Sequence, residues 1–195
     1  MNPAMWAVVA AAAASISLAL GMRQTFGLFL LPLSTEAGLS PTILGMAVAV
    51  HNLVWGLSQP ITGAMADKYG AGRVMAAGAL MLSAGIGLPA LWMGAPAIFI
   101  GIGLLTGIGI SCCGTGAALA AVGRAVPPAR RGEMIGLASA GGSLGQAAMI
   151  PVAQSLLGAW GAVATFGALA SLLLVIVPIA RTIEWTPPSS TGGAK

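Results

Sequence analysis

The sequence predicts an all-α integral membrane protein with six transmembrane helices. Two observations carry that prediction. Of 195 residues, 57% are hydrophobic and only 6% are charged, whereas water-soluble domains carry roughly a quarter charged residues. So little polar surface cannot cover a globule in water. The apolar residues also fall into six long runs, each able to supply the roughly 20 helical residues that cross a hydrocarbon core. They do not alternate apolar with polar residues, as the strands of a membrane barrel do. The 29 glycines suit helices that touch closely, as is needed where lipid gives them no hydrophobic reason to associate.

The first helix is expected over residues 6–31. No positive charge precedes it, and it stays apolar past Arg23 to Leu33, which argues for a retained helix over a cleaved signal peptide. Ser40-Pro41 opens the second helix, 43–66, and the turn at 67–72 separates it from the third, 74–93. Gly94-Ala95-Pro96 precedes the fourth, 97–122, and Pro127-Pro128 the fifth, 134–158. Ala159-Trp160-Gly161 divides the fifth from the sixth, 162–180. Residues 182–195 are rich in Pro, Ser, Thr and Gly, a composition that builds no core and predicts a flexible cytoplasmic tail.

The bases set the expected orientation. Lys68 and Arg73 lie between helices two and three, Arg124, Arg130 and Arg131 between four and five, and Arg181 and Lys195 after six. All fall on one side, while the opposite loops offer only Glu36. The positive-inside rule then places both termini in the cytoplasm of a multi-pass protein of the plasma (inner) membrane. The net charge of +4 reports this topology, and no basic patch outside those loops supports nucleic-acid binding.

Few polar residues lie within the runs. Arg23 is about eight residues, or roughly 12 Å, from the expected outer end of helix one. An arginine at such depth costs at least about 2.5 kcal/mol and usually faces a cavity or ion path, although its long side chain also permits snorkelling to the outer headgroups. His51 on helix two reaches a similar depth, so the two are candidates to share one cavity. The alternative for His51 is a neutral side chain bonded to a neighbouring helix. Asn52 and Gln59 lie on one face of that helix, suiting either a polar lining or interhelical bonding. Helix five contributes Ser139, Ser143, Gln146 and Gln154 around Pro151, a residue that frees a backbone carbonyl and bends the axis. Gly103 with Gly107, and Gly141 with Gly145, have the G-x-x-x-G spacing of close helix contacts.

Other chemistry finds no support. Cys112 and Cys113 are adjacent in an apolar run, with neither a stapling nor a metal-ligand spacing, and are expected to be packing residues. No metal or cofactor is implied, and there is no constellation of nucleophile, base and orienting acid. All four acids, Glu36, Asp67, Glu133 and Glu184, fall at surfaces or in the tail. An intramembrane arginine without a buried counter-ion needs one from elsewhere, and a small organic anion is the candidate.

Between helices two and three the sequence reads GAMADKYGAGR, residues 63–73. Its spacing, G-x-x-x-D-K-x-G-x-x-R, resembles the signature loop of the major facilitator superfamily, in the place that loop occupies. The resemblance extends to Arg181 and implies the amino-terminal six-helix half of a twelve-helix secondary transporter, built as two inverted three-helix repeats with substrate near the midplane between halves. It further implies that Asp67 is the acid of a conformational latch that bonds to the other half, with Lys68 and Arg73 beside it and Gly63 and Gly70 permitting close approach. Gly72 stands where a second base is frequent, which points to an altered latch. Residues 23–40 and 141–161 look like the monocarboxylate and oxalate or formate carrier branch, in which a base on helix one helps bind substrate. The arginine that many proton-coupled members carry early in helix four is replaced by an apolar run around Gly103.

The expected function is therefore half-length secondary transport of a small organic anion such as a monocarboxylate. Arg23, His51, Asn52 and Gln146 are the expected substrate residues. The lipid bilayer and a second six-helix half, or self-association, are the expected partners. Two alternatives stand beside it: a truncated, transport-incompetent fragment, and a non-transporting membrane protein that binds a partner.

Overall fold

The computed structural model describes residues 3–184; of the tail expected at 182–195, residues 182–184 instead continue the last helix, and the remainder lies outside the described residues. Helix α1 (Pro3–Gln24) passes through a 3-10 turn (Phe26–Phe29) into α2 (Leu30–Glu36). At the junction the Thr25 hydroxyl donates to the Met22 carbonyl at 2.7 Å, occupying an acceptor where the helical ladder changes register. The whole first span therefore runs Pro3–Glu36, past the end expected at residue 31.

Helix α3 (Pro41–Tyr69) opens with Ser40, whose side chain accepts from the Thr42 amide, and with Pro41 in the first turn. It stops at Gly70, whose φ of 96° is a left-handed conformation that side chains resist. Helix α4 (Ala71–Leu91) follows at once. The next span, Ala95–Ala125, is not one regular helix. It comprises α5 (Ala95–Ile98), a π-helical segment (Phe99–Leu105), α6 (Thr106–Cys113) and α7 (Thr115–Ala125).

Helix α8 (Arg131–Leu173) and α9 (Ile176–Glu184) complete the described chain. Among the described residues five stretches are long and apolar enough to cross a membrane, and the last, Pro128–Ile183, has 56 residues. Straight, it would exceed 80 Å, against a hydrocarbon core of about 30 Å. It is not straight: Gly161 has φ 73° and ψ 179°, a break that only glycine accepts easily. Beyond it the chain packs back on the bundle. Phe166 stacks on Phe29 with ring centroids 4.0 Å apart, and the Ser83 hydroxyl of α4 donates to the Ala170 carbonyl at 2.8 Å.

Small residues govern the packing. A Cβ added at Gly145 would run into the side chain and backbone of Ser17, and one at Gly21 would lie 2.9 Å from the Gly145 carbonyl oxygen, so α1 and α8 touch nearly backbone to backbone. Gly109 meets the Gly78 carbonyl and Leu82 in the same way where α4 crosses α6. Hydroxyls also tie α1 to its neighbours' backbone carbonyls: Ser15 donates to Cys113 of α6 at 2.8 Å and Ser17 to Gly141 of α8 at 2.7 Å. Such bonds replace the hydrophobic driving force that lipid withholds. Cys112 and Cys113 are buried free thiols in this packing, Cys113 donating to the Gly109 carbonyl.

Candidate functional site

Two polar groupings among the described residues contain side chains singled out in the sequence. The first centres on Arg23. With the first span extended to Glu36, this residue sits roughly 20 Å from its end rather than 12 Å, at 1.5 Å per residue. Its guanidinium is held against α3. Nη2 donates to Asn52 Oδ1 at 2.8 Å, and Cζ lies 5.3 Å from the centre of the Trp55 ring, within cation–π range. Asn52 is itself held, its Nδ2 donating to the Val48 carbonyl one turn back at 3.0 Å. With its amide spent on the backbone, Asn52 turns its carbonyl oxygen toward the arginine. Arg23 is thus positioned by a neutral acceptor and an aromatic face, neither of which cancels its charge.

His51 is fully buried. Its Nδ1 lies 2.8 Å from the Thr106 hydroxyl, its ring meets Phe26 edge-on at 5.4 Å, and it sits 6.4 Å from Trp55. Thr106 is the first residue after the π-helical segment and donates its hydroxyl to the Ile102 carbonyl. π-Segments change the facing of the residues after them and recur at functional sites. Here the segment sets Thr106 against α3, while Gly107 admits the His51 carbonyl and Val54 so closely that a Cβ would lie 3.0 Å from each.

A groove of about 370 Å³ opens beside Arg23, between the 3-10 turn and the first turns of α3. It is lined by Arg23 and Gln24 with Phe26, Leu30, Leu44 and Val48 among its apolar walls. His51 does not line it, because the close packing of α3 on α6 encloses the imidazole. Gln146 is half-buried on α8. The structure thus brings Arg23, His51 and Asn52 together, while no hydrogen bond among the described residues ties Gln146 to them.

Trp55 and Thr106 belong to this cluster and were not singled out from the sequence. Trp55 had a legible signal, since it follows His51 by four residues and Asn52 by three, one turn along the same face. Thr106 had none, because its facing depends on the π-segment.

The second grouping is the turn between α3 and α4. Asp67 pairs with Arg124 at 3.4 Å, both side chains well exposed (78% and 47%), which places the turns after α3 and after α7 at the same end of the bundle. Lys68 lies over the Tyr69 ring at 5.1 Å. Gly70 supplies the positive φ described above, and Arg73 is exposed at the start of α4. A Cβ at Gly63 would meet nothing within 4 Å, so this chain's own packing does not require a glycine there.

Helical spans of this length, packed through glycines around an intramembrane arginine, define a multi-pass helical membrane protein. The chain belongs to the major facilitator superfamily, whose sequence model matches residues 7–195, a family of transporters rather than enzymes. It is 29% identical over 188 aligned residues to the probable anion transporter 4, chloroplastic, of Arabidopsis thaliana, covering 90% of this chain and 33% of that protein. Its fold is similar to the inward open conformation of the xylose transporter XylE from E. coli, with a TM-score of 0.76, 16% identity, and coverage of 95% of this chain and 49% of that one. The chain therefore spans about a third of the length of the curated relative and about half that of the solved structure.

Proposed function

We propose that this chain forms one six-helix half of a secondary transporter for a small organic anion and works by alternating access with a second six-helix half, supplied by another chain or by self-association. The observation that carries the reading is Arg23. It is a permanent charge deep in an apolar span, bonded to Asn52 and covered by Trp55 without neutralisation by either. A carboxylate arriving in the groove supplies the missing negative charge, and a charge-assisted bond of this kind contributes about 1.5–3 kcal/mol. The likeness to a probable anion transporter supports the same class.

The six crossings are counted by treating the break at Gly161 as the turn between the fifth and the sixth, and they form two inverted three-helix repeats. The clustered bases put the Asp67–Arg124 end in the cytoplasm, with both termini, in the plasma (inner) membrane. Asp67, Lys68 and Arg73 form a latch toward the second half, and Gly63 is where that half comes close. Asp67 is paired with Arg124, an exposed pair weak enough to exchange for one with the second half.

Uptake of a labelled monocarboxylate by liposomes carrying the purified chain tests the reading. The wild type is expected to accumulate the anion and Arg23→Gln to lose uptake. Equal uptake by the two proteins sinks the proposal.

A further inference from the structure

The hydrogen bonds around His51 fix its tautomer. Thr106 has one hydroxyl hydrogen, and it goes to the Ile102 carbonyl. The 2.8 Å contact between Thr106 Oγ1 and His51 Nδ1 can then be a hydrogen bond only if Nδ1 carries the proton and the hydroxyl oxygen accepts it. In the neutral ring this leaves Nε2 as a bare acceptor. Nε2 is buried and has no hydrogen-bond partner among the described residues, and the same holds for Arg23 Nε. Buried polar atoms are nearly always paired, so two unpaired ones beside the same indole need an explanation. One is a donor on a cation and the other is an acceptor. Trp55 touches both side chains, over the guanidinium at 5.3 Å and beside the imidazole at 6.4 Å.

We propose that Arg23 and His51 Nε2 form a two-point recognition pair beneath Trp55, which reads an organic anion that carries its own hydrogen-bond donor next to the carboxylate, such as a hydroxy acid. The carboxylate takes the guanidinium, the donor group takes Nε2, and the half-buried indole moves aside to admit them. His51 is then a specificity-determining residue, and Thr106 is a positioning residue that acts through the tautomer. The proposal rests on the anion reading of Arg23 and adds a requirement that a simple carboxylate does not meet.

Glycolate and propionate have the same number of heavy atoms and differ in a hydroxyl against a methyl, so they make the test. His51 is the sole histidine of the chain, and ring-¹⁵N labelling of the protein in nanodiscs reports it without ambiguity. The expected spectrum has a protonated Nδ1 and a pyridine-type Nε2. Glycolate should shift the Nε2 signal and bind about tenfold more tightly than propionate, the value of one ordinary hydrogen bond, with Trp55 fluorescence as the second readout. Thr106→Val should erase that preference and release the tautomer, so that the Nδ1 and Nε2 signals no longer show a single protonated Nδ1. A pyridine-type Nδ1 in the wild type, or equal binding of the two acids, overturns the proposal while leaving the anion reading intact. Binding of neither acid overturns both.

Discussion

Arg23 on α1 donates to the carbonyl oxygen of Asn52 on α3 at 2.8 Å, so the charge that crosses between these helices is oriented but not neutralised. An aspartate at this position would have neutralised it, and the difference between the two residues is one amide nitrogen. That nitrogen is occupied by the Val48 carbonyl.

Asn52→Asp should therefore quench the site without removing any of its bulk. A carboxylate on Arg23 competes directly with the substrate's, and at about 1.5–3 kcal/mol for the charged bond anion affinity should fall roughly 10- to 100-fold. Titration of wild type and variant with the same monocarboxylate measures it. Undiminished affinity in a folded variant rules out Arg23 as the counter-charge.

The glycines of this chain should separate into two classes. Gly145→Ala pushes a methyl into Ser17 and is expected to destabilise the bundle by about 1–3 kcal/mol, as overpacking does. Gly56→Ala meets nothing within 4 Å and should be neutral or stabilising by up to about 1 kcal/mol. Thermal unfolding in one detergent compares them, and similar midpoints contradict the α1–α8 contact described above.

Gly70→Ala tests a backbone rather than a packing requirement. With φ at 96° an L-residue is strained by about 1–2 kcal/mol, and the turn between α3 and α4 has little freedom to relax because α4 begins at the next residue. The expected result is a lowered unfolding midpoint. Unchanged stability means that the turn adopts another conformation.

Asp67→Asn distinguishes an ordinary surface pair from a latch. The Asp67–Arg124 pair is exposed and 3.4 Å long, so its loss should change stability by no more than about 0.5 kcal/mol. Uptake should fall even so, if Asp67 serves the change of conformation. Full uptake at unchanged stability leaves the pair with no role beyond the surface.

The sequence by itself determined the membrane class, since neither its composition nor its runs fit a soluble domain. It also determined the family, because the spacing of Gly63, Asp67, Lys68, Gly70 and Arg73 survives without knowledge of any contact. It flagged Arg23, His51 and Asn52 because polar groups stand out where almost everything else is apolar. What only the tertiary structure decided is where those groups point. The same span length that admitted snorkelling became a longer span with Arg23 held against α3 by Asn52, and His51 proved enclosed against Thr106 rather than open to the groove. The physical reason is that amphipathic periodicity is silent in lipid: every face of such a helix is apolar, so the pattern does not say which face meets a neighbour. That choice is made by close contacts between glycines and by single hydroxyls reaching carbonyls. Here a π-segment before Thr106 added a rotation that no spacing rule on a regular helix contains.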